Sequence, residues 1–397
     1  ACPKDKRGGY SRSWCYCTER IFVLYMFSFL WHNLPMENAV ERNVTKGRGA
    51  PTNAVPTRFN LNNRVADGDW LDAREALDGG KPPLKTTVTE EFAKSILSFN
   101  NSPDVPFDRS VNAYRGCEHG CVYCFARPTH AYHDLSPGLD FESRLFAKPN
   151  AADILRKTIA KPGYQPAPIA IGTNTDPYQP IERTYRITRS ILALMVETSH
   201  PIVITTKSAR VLDDIDLLSQ LASKQLTGVA ISVTSLDAKL ARTLEPRASS
   251  PMTRLAAVRK LSDAGIYVHV NIAPIIPAVT DHKIEAIAAA AAEHGATSIS
   301  SIPIRLPHEV APLFRDWLDL HFPDRAAKVI NIIRDMRGGK DNDAEFFSRM
   351  KGHGPWAELI RTRMQIARKK HGLDGSKWNV RTDLFVPPNM NGQLSLF

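Results

Sequence analysis

The feature that most constrains the fold is a regular alternation of short apolar stretches with helical segments between residues 110 and 302. The apolar stretches have the length and composition of buried strands and lie at 110–114, 169–172, 202–205, 229–233, 267–272 and 298–302. Strands that alternate with helices form parallel sheets, and strands that are apolar throughout are covered on both faces. We therefore predict an α/β fold over residues 85–306, a partial (β/α)6 barrel of the TIM type.

The boundaries of the helices between these strands can be predicted from residues that commonly cap helices. Residues 183–199 carry apolar side chains at helical spacing, and Asp213 is expected to cap the next helix. Another helix is expected to begin at Ser250-Pro251 and to end at Gly265. These signals support helices in the connections of the sheet.

The remaining segments differ from this core in composition. Residues 1–35 include an apolar run over 21–31, shorter than the roughly 20 residues of a membrane-spanning helix. We expect a leader that belongs to no fold there, with a membrane anchor as the alternative. Residues 36–84 are rich in Asn, Arg, Gly and Pro and predict a disordered or extended lead-in. Residues 307–375 predict a C-terminal helical extension, and 376–397 an extended tail.

Charge and cysteine content restrict the class of protein. The 397-residue chain has a net charge of +10 and six cysteines, three of them within eight residues. Cysteines clustered in this way are not a secreted disulfide framework, so we expect a cytoplasmic protein without a membrane partner. The charge permits a nucleic-acid substrate, but a solvated face is the commoner explanation for basic helices like those after residue 307.

Cys117, Cys121 and Cys124 follow the first predicted strand with the spacing Cys-x3-Cys-x2-Cys. Thiolates this dense bind soft metals, and three ligands leave one coordination position open. Active sites of such barrels lie at the carboxyl ends of the strands, which is where this loop begins. The residues alone leave zinc open, with His119 or His130 as fourth ligand. The corresponding alternative function is a zinc-structured, non-catalytic nucleic-acid-binding module.

The cysteine loop resembles that of the radical S-adenosylmethionine (SAM) superfamily, and in particular the branch that includes spore photoproduct lyase. The resemblance is carried by Arg115-Gly116-Cys117-x3-Cys121-x2-Cys124-Phe125-Ala126-Arg127. It extends over about residues 86 to 305 and implies a radical SAM barrel. It also implies that the three cysteines bind a 4Fe–4S cluster whose fourth iron binds SAM. Such enzymes cleave SAM reductively to a 5′-deoxyadenosyl radical, with a flavodoxin or ferredoxin type of protein as electron donor.

The resemblance further assigns residues at the first strand ends to SAM. Tyr123 matches an aromatic that lies against the adenine, although a packed loop aromatic is the simpler interpretation. Asp176, with Asn174 or Thr175, would accept from the SAM amino group, and an ordinary Asp-Pro turn is the alternative. Lys207 corresponds to the lysine that neutralises the SAM carboxylate. Its alternative is a lysine that reaches solvent.

Later strand ends complete the expected site. Ser232 and Thr234 end the fourth strand, and Arg247 follows on the next loop. We expect these three to bind the ribose hydroxyls and the methionine carboxylate. Photoproduct lyases carry a hydrogen-donating cysteine near the position of 173–175, whereas no cysteine follows Cys124 here. The expected function is therefore radical chemistry on an unidentified substrate.

Overall fold

The computed structural model describes residues 47–50, 53, 84–375 and 379–389. The leader predicted for residues 1–35 lies outside them, as do most of the predicted lead-in and part of the predicted tail. The strands are β1 (Thr87–Glu90), β2 (Leu97–Phe99), β3 (Arg109–Val111), β4 (Tyr114–Arg115), β5 (Arg144–Ala147), β6 (Ile169–Ile171), β7 (Ile202–Thr206), β8 (Thr227–Ser232), β9 (Tyr267–Ile275) and β10 (Ser298–Pro303).

The main sheet has seven strands in the order β10-β9-β8-β7-β6-β3-β2. Its strands β3 and β6 to β10 are parallel and adjacent in chain order. β2 pairs antiparallel with β3. The predicted α/β core of six parallel strands is confirmed. Among the described residues the barrel is partial and open, because β10 and β2 form the two edges of the sheet.

The first strand is shorter than predicted. Residues 110–114 were expected to form it, but β3 ends at Val111 and the chain then enters a second sheet. In that sheet β5 pairs parallel with β1 and antiparallel with β4, so that Tyr114 lies opposite Ala147. The second sheet fixes the start of the cysteine loop, since β4 leads directly into it.

Helices cover the main sheet and continue beyond it, as predicted. They are α1 (Leu139–Ser143), α2 (Ala151–Ile159), α3 (Glu182–Tyr185), α4 (Ile187–Thr198), α5 (Ile215–Ser223), α6 (Ala238–Leu244), α7 (Pro251–Asp263), α8 (Ile284–Glu293), α9 (Val310–His321), α10 (Pro323–Asp335), α11 (Ser348–Lys351) and α12 (Gly354–His371). Short 3₁₀-helices span Arg127–His133, Ala209–Asp214 and Asp281–Lys283.

Two helix predictions need correction. The helix expected over 183–199 is divided into α3 and α4, because Arg186 lies between them with a left-handed φ of +49°. Asp213 does not cap α5. It lies inside a 3₁₀-helix that the Ser208 side chain caps, and its carboxylate pairs with Arg210. The predicted cap at Ser250 is confirmed, since its hydroxyl accepts from the backbone N–H of Thr253.

Two apolar clusters support the site. The larger one fills the space between the main sheet and its helices. The second joins Val310, Phe314 and Trp317 of α9 to Cys121 and Tyr123 of the cysteine loop. The helical extension therefore packs directly against that loop and is part of its support.

The β10 edge of the sheet is covered by the end of the chain. The Arg368 Nε of α12 donates to the carbonyl of Ile299 at 3.0 Å. Beyond α12, Asp374 forms an isolated antiparallel bridge with Ser298. Within the described ranges no helix combines the length and apolar character needed to span a membrane.

Candidate active site

The three clustered cysteines lie in the loop after β4, beyond the carboxyl end of β3. Cys117 and Cys121 are buried, Cys124 is partly exposed, and all three are free thiols. Burial, with Asp176 nearby, raises the pKa of Cys117 well above its ordinary value, and burial raises the pKa of Cys121 to about 12. Buried thiols form thiolates only beside a compensating positive charge such as a metal centre. The donor set fits a soft metal centre that supplies this charge.

Gln179 fixes the backbone of the cysteine loop and was not predicted from the sequence. Its Oε1 accepts from the Glu118 N–H at 2.9 Å, and its Nε2 donates to the Gly116 carbonyl at 3.2 Å. The side chain is fully buried. A buried amide that satisfies one donor and one acceptor of the same loop restricts the loop to one conformation. The only sequence signal is its place in the polar stretch after β6.

Asp176 joins three parts of the site. Its Oδ1 accepts from the Thr206 hydroxyl at 2.6 Å and the Tyr178 N–H at 2.9 Å. Its Oδ2 accepts from the Lys207 N–H at 2.7 Å and lies 3.3 Å from the His119 Nδ1. Burial would raise the pKa of Asp176, but His119 and these hydrogen bonds lower it to about 2. These contacts fill the acceptor positions of a carboxylate, so this geometry favours a positioning role over the predicted contact with SAM.

Lys207 follows β7 and points into the site. Its Nζ lies 5.8 Å from the centroid of the Tyr123 ring. Burial would lower the pKa of Lys207, but Cys121 and Glu245 raise it above its ordinary value, so the ammonium stays charged. Within the described part of the chain, Nζ makes no hydrogen bond or close ion pair. An ammonium placed in this way can bind an anionic group.

Tyr123 is anchored by the buried carboxylate of Glu245, a role that the sequence did not predict. Its hydroxyl donates to Glu245, which also accepts from the Thr234 hydroxyl at 2.6 Å. The other Glu245 oxygen pairs with Arg254, whose Nη1 donates to the Ser232 carbonyl at 2.9 Å. Burial would raise the pKa of Glu245, but Arg254 and Lys207 lower it to about 2. The network orients Tyr123 and fixes the end of β8.

The other predicted SAM residues occupy varied positions. The Thr234 hydroxyl donates to Glu245, and Arg247 forms an ion pair with Glu118 at 3.2 Å. Thr175 is buried and donates to the Tyr114 carbonyl at 3.3 Å. The Asn174 N–H donates to Asn112 Oδ1, at 3.1 Å, which fixes its backbone. Ser232 is buried at the end of β8. Asn174 and Thr175 follow the carboxyl end of β6, and Ser232 and Thr234 lie at that of β8.

Both histidines considered as zinc ligands have protein partners. His119 Nδ1 faces Asp176, and His130 Nε2 lies 2.9 Å from the Arg144 carbonyl. Burial lowers the pKa of His130 to about 4, so the ring is neutral. Among the residues described, no three His, Cys, Asp or Glu side chains are grouped as around a single metal ion.

Comparison with known proteins identifies the family. The model of the radical SAM superfamily matches residues 111–291. An uncharacterized protein of Mycobacterium tuberculosis is 34% identical over 251 residues, which are 62% of this chain and 74% of that protein. The chain belongs to the radical SAM superfamily. Its cysteine loop and the carboxyl ends of β3, β6, β7, β8 and β9 lie inside the matched region.

Solved structures confirm the fold of this radical SAM enzyme. A spore photoproduct lyase variant has a TM-score of 0.53 at 15% identity, with 72% of this chain and 79% of that chain covered. Another, with bound AdoMet and dinucleoside spore photoproduct, has a TM-score of 0.52 at 15% identity and covers 77% of this chain and 92% of its own. At this identity the likeness concerns the fold alone.

Family membership has two consequences for the site. It makes the protein an enzyme, which displaces the alternative of a non-catalytic zinc module. It also implies a 4Fe–4S cluster and SAM as cofactors. The three thiols beyond β3 are soft donors of the type that such clusters require.

Proposed function

We propose that Cys117, Cys121 and Cys124 hold the 4Fe–4S cluster of this enzyme. The cluster, once reduced, would supply the electron that cleaves bound SAM to methionine and a 5′-deoxyadenosyl radical, which acts on an unidentified substrate. One observation carries the proposal: Lys207, an ammonium with no acceptor in the described residues, lies beside the same loop as the thiols. A cluster alone does not require such a charge, whereas the SAM carboxylate does.

The chain's own residues would bind and orient SAM. Lys207 would pair with the SAM carboxylate, and Tyr123 would present its ring to the adenine. The Tyr123 hydroxyl is held by Glu245, so the ring keeps one orientation. Asp176 holds the backbone N–H of Lys207 at 2.7 Å and thereby aims its side chain. Preorganisation of this kind reduces the entropy lost on binding.

We propose an anionic substrate, with nucleic acid as the polyanionic case, for the surface around Cys124 and Phe125. Phe125 follows the last cysteine and is 49% exposed, and the Arg305 guanidinium lies 5.2 Å from its ring centroid. Burial and the nearby Arg349 lower the pKa of Arg305. Arg305 makes no hydrogen bond or ion pair within the described ranges. An exposed ring beside an unpaired guanidinium suits a planar group attached to a phosphate or carboxylate.

The reaction needs an electron from outside the chain. We propose a flavodoxin or ferredoxin type of protein as donor, and a cytoplasmic location in which the thiols stay reduced. Cys124 is the most exposed of the three thiols, so the loop around it is the natural side for electron entry.

Anaerobic reconstitution with iron and sulfide tests the proposed function. The wild-type protein should turn brown, bind about four irons per chain and release 5′-deoxyadenosine from SAM when dithionite is added. Alanine at Cys117, Cys121 or Cys124 should abolish both properties. Alanine at Cys15, which is outside the cluster motif, is the matched control and should change neither. A colourless protein that holds stoichiometric zinc and leaves SAM intact would contradict the proposal.

The substrate proposal has its own test. A fluorescein-labelled single-stranded oligodeoxynucleotide should bind the protein with an affinity that falls as salt rises. Arg305→Ala should weaken this binding by about tenfold, the usual loss for one charged contact. The control is Lys161→Ala, which removes an exposed lysine in the connection between α2 and β6. Equal affinities in Arg305→Ala and wild type would remove Arg305 from substrate recognition.

A further inference from the structure

A short segment far upstream of the barrel lies directly on the cysteine loop. We call residues Gly47–Ala50 the strap. Its Ala50 is 1% exposed and Arg48 is 7% exposed. Nearby, Asn53 exchanges two hydrogen bonds with Asp140 of α1, at 3.1 and 3.4 Å. Within the predicted disordered or extended lead-in, residues 48–50 are therefore buried and closely packed.

Glu142 links the strap to the loop. The Gly49 and Ala50 N–H groups donate to its two carboxylate oxygens at 2.9 and 2.7 Å. The same carboxylate pairs with Arg127 at 2.5 Å, and both side chains are fully buried. Arg127 Nε then donates to the Cys121 carbonyl at 2.8 Å. A continuous path of charge-assisted hydrogen bonds, which are stronger than neutral ones, connects the strap to the backbone of a proposed cluster ligand.

The backbone of the strap approaches the loop more closely than any side chain would allow. A Cβ at Gly49 would lie 1.7 Å from the Gly120 carbonyl oxygen and 3.3 Å from the Val122 N. The obstacle is backbone, which cannot rotate away as a flexible side chain can. Gly120, with φ of +67°, is itself in a conformation that favours glycine. The contact therefore requires glycine at position 49.

Arg48 provides a second connection. Its guanidinium donates to the Glu142 carbonyl at 2.6 Å and to the Thr86 hydroxyl at 3.0 Å. That hydroxyl donates to Glu118 Oε1 at 2.6 Å, and Glu118 lies between Cys117 and His119 in the loop. The strap thus holds the loop on both sides of Gly120.

We infer that the strap is a functional part of the cluster site. It closes one side of the cysteine loop and holds the loop in one conformation, so that the buried thiols are screened from solvent and a bound cluster is retained. The part of this inference that concerns cluster retention rests on the proposed function. The screening of the thiols does not depend on any cofactor, because it follows from contacts within the protein.

Alkylation of the cluster-free, full-length protein tests the inference. Each cysteine-containing peptide is followed by mass spectrometry during reaction with N-ethylmaleimide. Gly49→Ala should raise the modification rate of Cys121 by about tenfold or more. The added Cβ prevents the strap from packing against the loop, so the loop opens more often. Lys161→Ala, at an exposed position outside the cysteine loop, is the control. Circular dichroism establishes that each variant is folded.

A second variant tests the inference independently, in case Gly49→Ala does not fold. Arg48→Ala removes the hydrogen bonds of the strap without a backbone clash, and it should raise the Cys121 rate in the same direction. In reconstituted protein, both variants should lose iron to a chelator faster than wild type. Wild-type modification rates in both variants would overturn the inference. If wild type binds no iron, the proposed function fails, while the alkylation result still decides whether the strap screens the thiols.

Discussion

The Lys207 ammonium lies 5.8 Å from the centre of the Tyr123 ring, and both residues are oriented by buried carboxylates. Asp176 accepts from the Lys207 backbone, and Glu245 accepts from the Tyr123 hydroxyl. The two carboxylates come from different loops. The proposed SAM site is therefore positioned by side chains that need not contact SAM.

Removal of the Lys207 charge should weaken SAM binding and leave the cluster intact. A hydrogen-bonded charged pair contributes about 1.5–3 kcal/mol, so Lys207→Ala should raise the Kd for SAM by roughly 10- to 100-fold. Equilibrium dialysis with labelled SAM gives the Kd, and iron analysis gives the cluster content. Lys224→Ala serves as control, since its Nζ donates to the Ser199 hydroxyl at an exposed position. Unchanged affinity in Lys207→Ala would remove this residue from the site.

Asp176→Asn should destabilise the protein, because an amide cannot accept all the hydrogen bonds that the carboxylate accepts. We expect the free energy of unfolding to fall by about 1–3 kcal/mol, the usual cost of leaving buried donors unsatisfied. Urea unfolding of the cofactor-free protein measures it. Asp153→Asn, at an exposed position of α2, should have no effect. Equal stability of Asp176→Asn and wild type would show that the side chain anchors nothing.

The Glu245–Arg254 pair should stabilise the protein only while both charges are present. Glu245→Ala leaves Arg254 buried without its counterion, which typically costs about 3–5 kcal/mol. The double variant Glu245→Leu/Arg254→Met removes both charges and should recover part of that loss, because the hydroxyls of Tyr123 and Thr234 still lack this acceptor. Thermal unfolding compares the variants. A double variant that is no more stable than Glu245→Ala would argue against an uncompensated charge as the cause.

The free energy of unfolding should depend on pH because of the buried carboxyl group of Glu182. Burial raises the pKa of Glu182 to about 7, although the hydrogen bonds from Tyr114 and Thr188 oppose this. The folded protein therefore holds a proton that the unfolded chain releases near its ordinary value of 4.5. This contribution is fully present below pH 4.5 and is lost as pH rises to about 7.

Urea unfolding between these pH values measures the loss. The difference in pKa corresponds to at most about 3 kcal/mol. Glu182→Gln, which cannot titrate, should give a flatter profile over this interval. Identical slopes for the variant and wild type would mean that another group causes the dependence.

Sequence patterns predicted what is local in the chain. The strands β6, β7 and β8 are short runs rich in apolar residues, and the alternation of strands with helices located all six parallel strands. The cysteine spacing lies within eight residues. The end of the first strand was not predicted, because Tyr114 leaves the main sheet to pair with Ala147. The break at Arg186 was missed for a similar reason: helical spacing continues through it, and only the backbone shows the left-handed turn.

The supporting residues of the site could not be predicted in the same way. Glu245 acts on Tyr123 across 122 residues, and Glu142 binds the strap across more than 90. Glu245 stands beside Arg247 in a stretch that was expected to contact SAM, but its contact with Tyr123, like the contacts of Glu142, exists only in the folded protein. For Asp176 the sequence indicated a polar position at a strand end. It could not show that donors from the protein already occupy the carboxylate.

The cover over β10 has a consequence for association between chains. An uncovered edge strand offers unpaired backbone groups on which another chain can add a strand, which leads to aggregation. Here Arg368 binds the outward carbonyl of Ile299, and Asp374 pairs with Ser298. A chain shortened before α12 would expose this edge together with the core that Ile360 and Met364 of α12 cover, and we expect it to self-associate.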